Sequence, residues 1–342
     1  MSYQLFTALG AQDEWISGGE PNSSFFSAVY KRHTPFSQCV EKQKIYGKPV
    51  EDGLSRIVLE RHGDLVGYTY FAVEQGGASV TVNDWTRLIK EVSIVIGGQK
   101  IDTMTSDFTE RIAVDMFARN VSKSSNGPHG GGVSMFYPLR FWWNENVKNA
   151  LPLCAMKYSD AELHVRWGPD ADQYTWSCFS NYYYLSDQER EQLANNELNM
   201  LITQTQKNIG GNERVQELTF SHPVKFIASS NTASTSALRS LNNRIKIAIN
   251  GTDLNGGFRH GRPHFMEAAH YFHTENVTSP DVFMYSFCNN TSDENPCGSL
   301  NCSRISSFRI YSETDPIVDT IYASSWNILR AKNGIAAQLY SN

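Results

Sequence analysis

The chain has 342 residues, and its 30 Lys+Arg against 35 Asp+Glu leave a formal net charge of -5, which argues against a coat of basic side chains built to neutralise nucleic-acid phosphates. Charged residues make up 19% and aromatics 12%. Few charges and many aromatics suit strands with large buried faces, or broad protein–protein interfaces. No apolar run approaches the ~20 residues needed to span a bilayer, and the opening MSYQLFTALGAQDEW has neither a basic start nor an apolar core, so no membrane span and no signal peptide are expected. The six cysteines (Cys39, Cys154, Cys178, Cys288, Cys297 and Cys302) are then read as free thiols.

In chain order, short runs rich in β-branched and aromatic residues recur between Gly, Pro, Asn and Asp. They begin at Ser55 (SRIVLERH), Leu65 (LVGYTYFAVE), Glu91 (EVSIVIGGQKI), Ala161 (AELHVRW), Ser177 (SCFSNYYYL), Val224 (VKFIASS), Arg244 (RIKIAIN), Val282 (VFMYSF), Ile305 (ISSFRIYS) and Asp319 (DTIYASSWNILR). Several alternate in polarity: Ile245, Ile247 and Ile249 share one face, with Arg244, Lys246 and Asn250 on the other. Many short strands at this spacing predict sandwiches or jelly rolls, not βαβ units. Helical signals are few. In SDFTERIAVDMFARN from Ser106, Ser106 can cap and Phe108, Ile112 and Met116 recur at helical spacing; in SDQEREQLANNEL, Ser186 and Glu189 form a capping box. The second helix is read as the end of one domain. The predicted division is an N-terminal arm over 1–25, a first jelly roll over 26–195 and a second over 196–342. The longest loops are expected at 121–134, 251–264 and 288–302, all rich in Gly, Ser and Asn.

Catalytic signatures are absent: no G-x-x-x-x-G-K-[ST], no G-x-G-x-x-G, no H-E-x-x-H and no G-x-S-x-G occurs. His260, His264, His270 and His273 are the nearest approach to a metal site, but Gly261 and Pro263 make a helix carrying His260 and His264 improbable, and a polar loop is expected. Cys288, Cys297 and Cys302 supply one pair of zinc-like spacing without a second, so loop thiols, free or locally bridged, are expected. The carboxylate pairs Asp160/Glu162 and Asp293/Glu294 read as solvated surface. N-x-[ST] sequons begin at Asn22, Asn120, Asn250, Asn276, Asn289, Asn290 and Asn301; without a signal peptide their glycosylation is doubtful. Tyr182, Tyr183 and Tyr184 with Trp142 and Trp143 are read as core or interface in preference to a sugar-stacking platform.

Several segments in order resemble the major capsid proteins of nucleocytoplasmic large DNA viruses. They are GAQD at Gly10, FF at Phe25, YKRHTPFS at Tyr30, VLERHGDLVGYTYF at Val58, EVSIVIGGQKID at Glu91, YPLRFWWNENVKNALPLCAMKY at Tyr137, YYYLSDQERE at Tyr182, TFSHPVKFI at Thr219, YSFCNNTSDENPCGSLNCSRI at Tyr285 and WNILRAKNGIAAQLYSN at Trp326. The resemblance implies an all-β double jelly roll, two eight-stranded antiparallel sandwiches side by side with a few short helices. It further implies a homotrimer of pseudo-hexagonal outline that tiles an icosahedral shell. Its partners would be neighbouring capsomers, penton and minor capsid proteins and an inner membrane surface, with no specific nucleic acid. The protein would reside in the virion after assembly inside the infected cell, with no enzymatic activity and no cofactor. In such a family the N-terminal arm lies at the inner face. The chain is short for the family, which implies low outer loops. The alternative function is a lectin-like, glycan-binding β-sandwich module.

Structural roles are expected at seven positions. Gly97 and Gly98 form a tight turn, since Gly accepts φ > 0. Pro152 and Pro223 begin strands or sit at edges, where the missing N–H is harmless. Arg140, Trp142 and Trp143 form a packed junction between jelly rolls or between subunits. No catalytic, cofactor-binding or metal residue is expected.

Overall fold

A computed structural model describes residues 10–17, 26, 30, 32–117, 135–230, 236–254, 256–257, 259–275 and 282–341. The chain divides into two compact units, 1–35 and 36–342. In the first, helix α1 (Ala11–Ser17) follows Gly10, whose N–H donates to Asp13 Oδ2 at 3.0 Å. The expected 1–25 arm otherwise lies largely outside the described residues.

The second unit begins with eight strands of three or more residues: β1 (Ser37–Gln43), β2 (Leu54–Val58), β3 (Leu65–Gln75), β4 (Ile89–Ile96), β5 (Gln99–Thr105), β6 (Phe136–Pro138), β7 (Ala161–Trp167) and β8 (Thr175–Tyr184). They pair antiparallel into two sheets, ordered β1-β8-β3-β6 and β2-β7-β4-β5. Eight more follow, beside a two-residue strand at Leu300–Asn301: β9 (Leu198–Asn208), β10 (Val215–Glu217), β11 (Pro223–Ser229), β12 (Ile245–Ile249), β13 (Thr252–Asp253), β14 (Phe283–Ser286), β15 (Phe308–Ser312) and β16 (Ile321–Lys332). Their sheets run β9-β16-β11-β14 and β10-β15-β12-β13, the first order with every number raised by eight, and β17 (Ile335–Gln338) extends β16 as a hairpin. This is a double jelly roll: the same winding, performed twice.

The alternation read from the sequence is the burial pattern. Ile245 and Ile247 of β12 are buried, Lys246 is half-buried and Arg244 exposed. Each roll closes its two sheets over its own apolar core, the first around Phe71, Ile94, Leu163 and Trp167, the second around Val224, Ile247, Phe283 and Ile310. A polar strand was missed: β9, LNMLITQTQKN, carries too few apolar residues to announce itself, yet it pairs with β16 along its whole length.

The helices required correction. Residues 106–116 are helical, but Phe108–Ile112 is a π-turn, followed by α2 (Ala113–Met116). Ser106 does not cap, because its hydroxyl donates to the Ile89 carbonyl instead. After α3 (Trp142–Glu145), α4 (Asp187–Asn195) starts at Ser186, whose backbone is extended like an N-cap but whose side chain makes no capping hydrogen bond. The loop expected over 251–264 is partly helical. Pro263 occupies the first helical position of a π-turn (Pro263–Ala268) that runs into α5 (Ala269–His273), because proline's missing N–H costs nothing there. Both π-then-α helices occupy the same place in the winding, between the fifth and sixth strands of their roll.

Candidate functional site

The most elaborate chemistry in the described residues lies where the two rolls meet. Strand β5 ends the first roll's sheet and β9 ends the second's, so two strand edges face each other. Side chains satisfy those edges. Asp102 Oδ1 accepts from Thr205 N–H at 2.9 Å and from Thr103 N–H at 2.7 Å, and Gln204 Nε2 donates to the Ile101 carbonyl. Burial pushes the Asp102 carboxyl up to about 7, against the opposing pull of those two N–H donors. Further along, Thr105 Oγ1 donates to Tyr322 Oη at 3.0 Å and Ser230 Oγ to Asp107 Oδ2 at 2.9 Å. Tyr158 N–H reaches the Gly334 carbonyl at 2.7 Å. A third apolar cluster belongs to both rolls: Phe108, Ile112 and Met116 pack on Phe226, Met284 and Tyr322.

The segment from Arg140 to Glu145 supplies the second part of the junction. Phe141 and Trp143 stack with centroids 4.8 Å apart, and Trp142 meets Trp143 edge-on at 4.7 Å. Arg140, Trp142 and Trp143 are each 1% exposed within a single chain. Arg140 faces the carboxylates of Glu110 and Glu145; burial pulls its pKa down while they oppose. Burial pushes Glu145 up to about 8, against Lys225 and Arg140, and Glu110 up to about 7, against Arg140. Lys225, from β11 of the second roll, donates to the carbonyls of Thr291 and Asp293 at 3.2 and 3.3 Å and lies 4.5 Å above the Trp326 ring. Trp142, Glu145, Thr203, Lys225, Ser292 and Trp326 line a cavity of about 190 Å³ there.

A loop over 288–297 clasps this junction. Ser292 Oγ bonds the carbonyls of Met116 and Phe117 at 3.3 and 3.2 Å, and Asn146 donates to Glu294. The six cysteines are free. Among the sequons, Asn250 accepts from Ser306 and Ser307 N–H at 3.0 Å, while Asn290 and Asn301 accept from N–H groups two residues on; Asn289 is exposed. Asn22, Asn120 and Asn276 lie outside the described residues.

Gly97 and Gly98, at φ 56° and 84°, are the two-residue turn between β4 and β5, with Ile96 opposite Gln99. Two successive positive φ values mark the turn type whose twist matches a hairpin. Pro223 opens β11, whereas Pro152 closes a two-residue edge strand against Leu65.

His260 stands outside the helix that carries His264, yet their rings lie 4.5 Å apart beside a recess also lined by His273. Burial, then the neighbouring His260 and His273, holds the His264 pKa down. Among the described residues no three His, Cys, Asp or Glu side chains are grouped to hold a metal ion. Asp160 and Glu162 pair with Arg61 and Arg56. Tyr182 and Tyr183 are buried with both tryptophans, so these four rings do not form an exposed platform. Asp102, Thr205, Glu145 and Lys225 went unremarked in the sequence. Their one signal was an isolated charge inside an apolar strand, as in PVKFIAS.

Two like jelly rolls welded by a shared core define a double jelly-roll subunit. A family model described as the major capsid protein N-terminus matches residues 24–186. The chain is 28% identical to the major capsid protein of Pyramimonas orientalis virus and 25% identical to that of Paramecium bursaria Chlorella virus 1, each alignment covering 98% of both proteins. Its fold matches the VP54 capsid protein of PBCV-1 (TM-score 0.78, 22% identity, 93% of this chain and 100% of that one) and the Faustovirus major capsid protein (TM-score 0.71, 11% identity, 95% and 94%). The chain is similar over nearly its whole length to the major capsid proteins of the nucleocytoplasmic large DNA viruses, which marks it as a structural protein of the virion.

Proposed function

We propose that three copies close into a trimeric capsomer of pseudo-hexagonal outline that tiles an icosahedral shell. The observation that carries this reading is the repeated strand order. Because the second roll winds as the first does, a threefold axis would be surrounded by six similar rolls, and a nearly sixfold outline tiles a facet with equivalent contacts. The welded junction supports it too, since a subunit that holds its two rolls rigid presents flat flanks of fixed angle. The division into an arm over 1–25 and rolls over 26–195 and 196–342 belongs to the same proposal. So do low outer loops, contacts with neighbouring capsomers, penton and minor capsid proteins, an inner membrane surface beneath the arm, and assembly inside the infected cell. The sequons at Asn250 and Asn289 would sit on turns.

Size-exclusion chromatography with light scattering tests the assembly. Three copies of 38.5 kDa give a particle of about 115 kDa. A well-folded 38.5 kDa monomer that persists at high concentration would overturn the trimer.

A further inference from the structure

The loop that clasps the two rolls carries two cysteines at its base. Asn289 N–H donates to the Cys297 carbonyl at 3.2 Å, and the Cys297 thiol donates to the Asn290 carbonyl at 3.1 Å, so residues 288–290 and 297 run side by side. The backbone closes in further at the next residue: a Cβ built on Gly298 would lie 3.1 Å from Cys288 Cα. Cys288 is buried and Cys297 half-buried, and the neighbouring Cys297 thiol adds to the burial that raises the Cys288 pKa. Cys302 is placed differently, packed into the core of the second roll beside Phe308 and Val224.

We propose that Cys288 and Cys297 form a redox-responsive pair, which closes to a disulfide in an oxidising medium and locks the clasp between the two jelly rolls. The oxidant is a small-molecule disulfide, RSSR. The Cys297 thiol loses its proton and its thiolate attacks one sulfur of RSSR, releasing RS⁻, which takes up that proton. The Cys288 thiol then loses its proton, its sulfur displaces the second RS⁻ from Cys297, and that thiolate is protonated in turn. One S–S bond breaks and one forms, two RSH leave, and two electrons pass from the protein to the small disulfide. Cys297 is the entry point because it is the more accessible of the two. Burial raises the Cys288 pKa, so the second step is the slower one. A reducing cytosol keeps both as thiols, and a particle released to an oxidising exterior meets the conditions for closure.

The closed ring would contain the groups that hold the rolls together. Thr291 and Asp293 offer carbonyls to Lys225, Ser292 bonds the end of α2, and Glu294 pairs with Asn146. Restricting that segment removes freedom from the unfolded chain without asking for new contacts in the folded one.

The test uses the full chain, purified reduced and then incubated with oxidised glutathione. After denaturing alkylation and cleavage at Glu294, mass spectrometry is expected to find the fragment carrying Cys288 joined to that carrying Cys297, 2 mass units lighter than the two thiols, with Cys302 alkylated. The melting temperature is expected to rise by roughly 3–6 °C and to fall back with dithiothreitol. Cys297→Ser, at a half-buried position, should fold normally and lose both effects. A protein of unchanged circular dichroism whose Cys288 and Cys297 both remain alkylatable, or that stops at glutathione on Cys297, overturns the proposal.

Discussion

Asp102 of the first roll accepts the Thr205 N–H of the second at 2.9 Å, so a carboxylate takes the place that a neighbouring strand would fill at the β9 edge. An open edge is a template for pairing with other chains. Here the protein closes it with its own side chain, and pays by burying an acid whose second oxygen has no hydrogen-bond partner.

That burial gives a pH dependence. The native Asp102 carboxyl titrates at about 7 against an ordinary 3.8. Between those values the folded state binds more protons than the unfolded one, so this contribution is full below about pH 4 and is lost as pH rises through 7. Glu110 and Glu145 act in the same sense, up to about 7 and about 8. His222, His264 and His270, whose pKa values are lowered by burial, act oppositely below 6.5. The informative quantity is therefore a difference. Asp102→Asn keeps an oxygen for Thr205 and removes the ionisation, so melting curves from pH 5 to 8 should show wild type losing several degrees relative to the variant. Parallel curves would refute the assignment.

The hairpin glycines are conformationally required. Valine at 97 or 98 must adopt a positive φ, at a cost of about 1–3 kcal/mol each. Gly97→Val should be the worse, because its Cβ would lie 3.2 Å from Ser159 Oγ, which itself accepts from Ala336 N–H across the junction, whereas Gly98 faces open space. Urea unfolding of the two variants gives the ranking, and an unchanged midpoint for both would exclude the strained turn.

A glycine outside the notable motifs should matter more. A Cβ on Gly168 would come within 2.1 Å of the Arg87 carbonyl oxygen, a backbone atom that has no side-chain freedom with which to retreat. Gly168→Ala is expected to destabilise by about 3 kcal/mol or more. Thermal melting decides it; a loss within a few tenths of a kcal/mol would show that the β7 end relaxes freely.

Trp143→Ala removes a ring stacked on Phe141 and buried to 1% exposure. The expected loss is about 3–5 kcal/mol, with a fall in the proportion of trimer that follows from the weakened fold. Retention of both stability and the assembled mass would place Trp143 outside the junction.

Removing residues 1–20 should leave the trimer mass proportionate to the shortened chain, because the first strand begins at Ser37. Particle assembly followed by electron microscopy is expected to show fewer or malformed shells. Normal shells would deny the arm its place at the inner face.

What the sequence alone determined is the repeating local pattern. Period-two alternation in RIKIAIN, the glycine pair in IGGQKI and the scarcity of long amphipathic stretches dictate antiparallel strands and tight turns, because these depend on neighbours a few residues away. The order of family-like segments carried the double jelly roll. The identical order of strands in the two rolls, offset by eight, left no mark legible to the eye, since winding constrains which strands pair and not which residues compose them. The polar strand β9 went unread because its stability comes from β16 and from Asp102, some 100 residues earlier in the chain. The capping at Ser106 failed for a related reason: a hydroxyl takes its best available partner, and for Ser106 that partner, the Ile89 carbonyl, arrives only when the sheet forms. The tertiary structure alone decided which charges would be buried. Asp102, Glu145 and Lys225 are ordinary surface residues by type, and only the closure of two rolls over them removes their water; Asp102 then finds a partner across the junction, while Lys225 bonds carbonyls of its own roll.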